Sequence, residues 1–319
     1  MFVEVDVIVF LMNESPCECY ALKQLMKSLT AFLFFQAMVL IFMRHDLLEL
    51  YRFAASSNLF SYILTIPFIS AFFFFKNYKH IFGNTGFSVI PGVSCTMVGF
   101  ILYFAGHHFG AELSKNDYLF LSTIAWLLMS LGGFIIFFGW HAFKRALFPL
   151  LFLFFMAPIP SSVLNNYIGF LQKGSEEVSF LVFRLLGVPI WRQGNVFQLP
   201  DFTFEVAREC SGIRSSIGLW ITALLFSYTF LKSNVCRFLA LLAVIPIAIF
   251  KNGLRIVTLG LLASYVDPIY ITNHWLHKSG GILYFTIALL FLFFPLLFLL
   301  RLYEGRKKLG IKQQKKQGI

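Results

Sequence analysis

Uncharged apolar runs of about twenty residues recur along this chain, and they restrict its fold more than any other feature. The clearest is 118–140, closed by His141, Lys144 and Arg145. A run of that length crosses a hydrocarbon core of about 30 Å as a helix. Lipid offers no partner to backbone N–H and C=O groups, so each run must satisfy them internally. Only 13% of the residues are charged and 58% are hydrophobic, whereas soluble domains carry about a quarter charged residues. The net charge of +11 does not indicate a nucleic-acid partner. The cations cluster beside the apolar runs and in the tail, the positive-inside pattern of membrane proteins.

The pattern predicts an all-α polytopic membrane protein of about eight transmembrane helices, at 28–43, 59–75, 86–105, 118–140, 147–159, 217–231, 238–258 and 281–300. Residues 1–27 read as a cytoplasmic leader, 28–300 as one membrane domain, and 301–319 as a basic cytoplasmic tail. With the N-terminus inside, Lys23, Lys27, Lys76, Lys79, Lys144, Arg145, Lys232 and Arg237 all face the cytoplasm. The remaining loops then face outward, among them 160–216, 251–255 and 267–280. Within the first of these, 161–187 carries Lys173, Glu176, Glu177 and Arg184 opposite an apolar face, as an interfacial helix does. Residues 188–206 hold the turn signals Gln193-Gly194-Asn195 and Pro200-Asp201 between short alternating runs, predicting a small β-meander on the extracytoplasmic side. No cleavable signal peptide is expected, because the first apolar stretch, 7–12, is short and follows Glu4 and Asp6. The five cysteines, Cys17, Cys19, Cys95, Cys210 and Cys236, fit neither a zinc site nor a disulfide framework, and no metal or cofactor is expected.

Three of the outward segments carry chemistry. Cys210 precedes the sixth span, followed by the small residues Ser211 and Gly212. Arg208, Arg214, Glu205 and Glu209 surround it. A helix N-terminus and nearby guanidinium groups favour a thiolate, the nucleophilic form. The alternative for Cys210 is a packed structural cysteine. Arg255, near the outer end of the seventh span, is an expensive residue inside a membrane and is usually functional there. Snorkelling to the headgroups is its bland alternative. Asn252 lies one turn earlier on the same face and is placed to fix the guanidinium, while Lys251 reads as an interfacial anchor. His274 and His277 open the eighth span and offer a general acid or base. His107 and His108, in another outward loop, read as structural. A thiol, an imidazole and a guanidinium at one leaflet are the parts of a cysteine acyl-transfer site.

These residues also carry a resemblance. The sequences ECSGIR at 209–214 and KNGLRI at 251–256, followed by His277, Gly281 and Phe285, resemble the exosortase/archaeosortase family of membrane transpeptidases. The upstream APIPSS and LLGVPI segments and Gly194-Asn195 look like the same family. The likeness covers about 144–285. It implies a cysteine transpeptidase or protease of the cell inner (plasma) membrane with an extracytoplasmic site. Its substrates would be membrane-anchored proteins ending in a PEP-CTERM-type sorting signal: a short motif, a membrane helix and a basic cluster. The cut end passes to an acceptor, lipid or glycan. Carried over by motif, Cys210 is the nucleophile, Arg255 the arginine and His277 the third member, with His274 the competing base. If the motif is acidic, Arg192, Arg208 or Arg214 are placed to bind it, next to Glu205. The rival class is a non-enzymatic component of exopolysaccharide export or assembly, in which Cys210 and Arg255 are structural. A transporter using Arg255 in a polar path is a third reading.

Overall fold

The computed structural model describes residues 16–316 apart from Asn84, Ala111, Asp201, Asn273 and Ser279. For residues 16–22, Glu209, Thr272, His277, Lys278 and 307–316 it describes the backbone alone. Most of the leader, and the side chains of Cys17 and Cys19, therefore lie outside the described residues.

The chain is an all-α polytopic membrane protein, with one small sheet among the described residues. Five of its described helices are long and apolar enough to cross a membrane: Lys23–Phe42, Val89–His108, Lys115–Arg145, Asn234–Tyr265 and Gly281–Arg306. The number rises to seven if two interrupted pairs, Arg44–Ser56 with Ser61–Lys76 and Leu147–Met156 with Ser161–Leu185, each form one span. The expected second and fifth spans thus appear as parts of broken pairs. The expected sixth is an 18-residue helix, Ile213–Phe230; Arg214, Ser215 and Ser216 in its first turn make it less apolar than the others.

The chain divides into two compact units, Met1–Ser161 and Ser162–Ile319. The first contains α1 (Pro16–Phe42), α2 (Arg44–Ser56), α3 (Ile66–Lys76), α4 (Tyr78–Phe82), α5 (Val89–His108), α6 (Lys115–Arg145) and α7 (Leu147–Phe152). Helices α5 and α6 run antiparallel with their backbones in contact. A Cβ on Gly92 would come 2.8 Å from the Gly132 carbonyl oxygen, and one on Gly132 would come 2.6 Å from that of Gly92. Small residues at such a crossing admit the close approach that drives helix association in lipid. The α6 helix is broken at Gly139, whose φ is +86°. Segment 86–88 repairs the break: Gly86 N–H donates to the Phe138 carbonyl at 3.2 Å, and Ser88 Oγ accepts from Trp140 N–H at 3.1 Å. That satisfies backbone groups which lipid cannot. At the other end of α6, Tyr118 donates to the buried Asp46 carboxylate, and its hydroxyl lies 3.3 Å from His107 Nε2. His107 therefore has a structural setting, as expected.

The second unit contains α8 (Ser161–Leu185, which starts one residue earlier), β1 (Trp191–Gln193), β2 (Val196–Gln198), β3 (Thr203–Glu205), α9 (Ile213–Phe230), α10 (Asn234–Leu242), α11 (Val244–Tyr265), α12 (Ile269–Thr272), α13 (Trp275–Lys278), α14 (Gly281–Ala288) and α15 (Phe294–Lys316). The meander expected at 188–206 is an antiparallel sheet in the order β1-β2-β3, with Phe197 opposite Phe204. Those two rings stack at 5.6 Å and are buried against Phe183 of α8 and Ile256 and Val257 of α11. The alternate residues of β2 and β3 thus seat the sheet on two helices, and this fixes where β3 delivers the chain. Helix α8 in turn packs on α11 through Gly174, beside Ile249, and Gly253, beside Val178.

Replacing Gly132 by Val should lower stability by about 1–3 kcal/mol through overpacking. Gly169→Ala should cost little, because a Cβ there meets nothing within 4 Å. Melting of the detergent-solubilised variants measures both.

Candidate functional site

From β3 the chain runs through Val206 and Ala207 into a tight 3-10 turn, Arg208–Ser211. Val206 N–H donates to the Asn195 carbonyl at 2.9 Å, and the Val206 carbonyl accepts from Gln172 Nε2 at 2.7 Å. Cys210 N–H closes the turn on the Ala207 carbonyl at 2.9 Å. Gly212 follows in the left-handed region, φ +71° and ψ 18°, and α9 starts at the next residue. The left-handed residue reverses the chain between turn and helix, a conformation that a Cβ disfavours. The thiol therefore sits, half-buried, between a strand and the amino end of a helix, where unpaired N–H groups gather.

Asn252 of α11 holds this turn. Its Nδ2 donates to the Cys210 carbonyl at 2.8 Å and to Ser175 Oγ of α8 at 3.1 Å. A Cβ on Gly212 would lie 2.6 Å from Asn252 Oδ1. Asn252 thus packs directly beneath the turn, and it supports the thiol segment as well as sitting near Arg255.

Cys210 and Arg255 line one cavity of about 360 Å³. Its remaining wall is mostly apolar, from Phe204, Val206, Ile256, Leu259 and Ile271, with Glu205 as the acidic member. Leu259 and Ile256 follow Arg255 on α11, so one helix supplies both the cation and the greasy floor. Ile271 belongs to α12, two residues before the loop that leads to the histidines. His274 Nδ1 accepts from Leu276 N–H at 3.2 Å, and its ring lies 4.3 Å from that of Tyr270. That nitrogen is engaged in starting α13. His277 lies on the backbone of α13; its side chain is outside the described residues.

The other candidates sit around this centre in different ways. Arg192 donates to Glu177 at 2.9 Å, to Glu176 at 3.2 Å and to the Gly194 carbonyl at 2.7 Å. Its guanidinium clamps β1 to α8. Arg208 donates to Asn165 Oδ1 at 2.9 Å, and Glu205 accepts from Asn195 at 2.6 Å. Arg214 is exposed on the first turn of α9. Ser211 is buried, with its Oγ lacking a hydrogen-bond partner among the described residues. No group of three His, Cys, Asp or Glu residues among those described is arranged to hold a metal.

Lys251 differs from its expected role as an interfacial anchor. It is only 4% exposed, and its amine donates to Ser215 Oγ on α9. The Ser215 face of α9 lies against it, which position along the span does not reveal. Ser175, Gln172 and Ser215 also escaped sequence reasoning. Serine and glutamine in an amphipathic helix carry no signal until the helix across from them is known.

The family model for transmembrane exosortases, Exosortase_EpsH, matches residues 54–294, more than half of the chain. No curated protein and no solved structure matches it.

Gly212→Ala should destabilise the protein more than Gly187→Ala. Both glycines have φ +71°, but a Cβ at Gly187 meets nothing within 4 Å. Each substitution carries the left-handed strain of about 1–2 kcal/mol, and only Gly212→Ala also displaces Asn252. Equal melting temperatures for the two variants would contradict the packing described here.

Proposed function

The chain belongs to the transmembrane exosortase family, and from that premise we propose a cysteine transpeptidase or protease that cuts C-terminal sorting signals. The single observation that carries the reading is that Cys210 and Arg255, from two separate motifs, line one cavity. The Cys210 thiol gives its proton to His277, and the sulfur attacks the scissile carbonyl carbon to form a tetrahedral adduct. Arg255 and the amino end of α9 stabilise its oxyanion. The C–N bond then breaks, and His277 gives a proton to the departing amine. The acyl group remains on sulfur as a thioester until an acceptor nucleophile attacks it and the thiol is regenerated. Water as acceptor gives hydrolysis; a lipid or glycan nucleophile gives transfer. His277 is assigned by the family motif. The capping bond of His274 makes it the weaker choice.

Charge placement supports an extracytoplasmic site in the plasma membrane. Helix α9 leads away from the thiol for 18 residues, about 27 Å at 1.5 Å per residue. At its far end lie Lys232 and Arg237, and the Arg301 guanidinium sits 5.8 Å from the Phe230 ring. Basic residues mark the cytoplasmic side, so the thiol end faces outward. A substrate helix beside α9 would bring its scissile bond to the outer leaflet, with its own basic cluster at the cytoplasmic end.

The test follows processing of a tagged membrane protein that ends in a motif, a membrane helix and a basic tail. Cys210→Ser, Arg255→Ala and His277→Ala should each lower cleavage at least about 100-fold with the enzyme still in the membrane. His274→Ala should retain most cleavage. Undiminished processing by Cys210→Ser would end the proposal and favour the export-component reading.

A further inference from the structure

Among the described residues, the reaction described above leaves a buried amine, that of Lys251, without a task. Lys251 lies on α11 next to Asn252 and one turn before Arg255. It does not snorkel: it is 4% exposed. An amine is withdrawn from water at a high cost unless it is hydrogen-bonded, so its partner bears on why it is there.

That partner is Ser215 Oγ. The Ser215 hydroxyl donates onward to the Gly212 carbonyl at 3.0 Å. Ser216 brings its backbone N–H, at 3.0 Å, and its hydroxyl, at 2.9 Å, to the same carbonyl. Asn252 meanwhile donates to the Cys210 carbonyl. Two consecutive residues of α11 therefore reach the two carbonyls that flank Ser211. Asn252 does so directly and Lys251 does so through Ser215. Consecutive helical residues point about 100° apart, so the pair straddles the thiol turn. Fixing both carbonyls sets the 210–211 and 212–213 peptide planes, which bracket the Ser211-Gly212 step, and so constrains the direction of the Cys210 side chain just before it.

We infer that Lys251 and Ser215 form a positioning pair that aims the Cys210 thiol. The link is made through the αL residue of the turn, Gly212, the position least able to hold its own conformation. The Lys251 amine bonds to Ser215 rather than acting on the substrate, so its role is positioning. The effect on turnover rests on the function proposed above, whereas the effect on the thiol does not.

The experiment uses the full chain in detergent, with Cys17, Cys19, Cys95 and Cys236 replaced by Ala so that N-ethylmaleimide reports on Cys210 alone. Lys251→Met and Ser215→Ala should each change the alkylation rate about fivefold or more, and the double variant should match the larger single effect, since both break one chain of bonds. Ser215→Thr keeps the hydroxyl and should restore the parental rate within about twofold. In the processing assay, Lys251→Met should lower kcat about tenfold with KM nearly unchanged, as expected when alignment rather than binding is lost. Ser215→Ala against Ser215→Thr carries the test if Lys251→Met does not reach the membrane. Alkylation rates within twofold of the parent in both single variants, or effects that multiply in the double, would overturn the inference. If the parent cuts no substrate while alkylation still depends on the pair, the proposed function fails and the positioning role stands. The reverse outcome removes the positioning role alone.

Discussion

Asn252 is the point on which the second unit depends. One amide joins the carbonyl before Ser211 to a hydroxyl of α8. It sits so close to Gly212 that no side chain fits between them. Three elements that are far apart in sequence, α8, the thiol turn and α11, are locked by this single side chain. Buried away from water, a carbonyl in a turn has few other partners. The bond that satisfies the backbone is therefore the same bond that orders the site.

The same requirement shapes the first unit. The break in α6 at Gly139 exposes backbone groups that segment 86–88 takes up. The contact of α5 with α6 relies on glycines that bring two backbones together. Where apolar side chains meet equally apolar lipid, burial gives little preference for one packing over another. Close backbone approach and polar satisfaction then select the arrangement.

Much of the fold was legible in the sequence. Long uncharged runs gave the helical membrane architecture, and the alternating residues of 188–206 gave the three-stranded sheet. The number of spans was not legible. Residues 59–75 and 147–159 are apolar enough to count by composition, yet turns at 57–60 and 157–160 make each of them one arm of an interrupted pair. Such turns reflect packing against neighbours rather than local hydropathy. Lys251 was misread for the same reason, since a lysine near a span end looks like an anchor until α9 is seen to cover it.

By itself, then, the sequence determined the solvent, through run length and charge, and the chemical candidates, through residue types such as the thiol of Cys210 and the guanidinium of Arg255. Only the tertiary structure decided which of them share a cavity and which are committed elsewhere, as Arg192 is to Glu176 and Glu177. Hydropathy depends on each residue's own transfer between water and lipid, so it can be summed along the chain. A hydrogen bond from α11 to a turn some forty residues earlier depends on where two segments meet, and no local sum contains that.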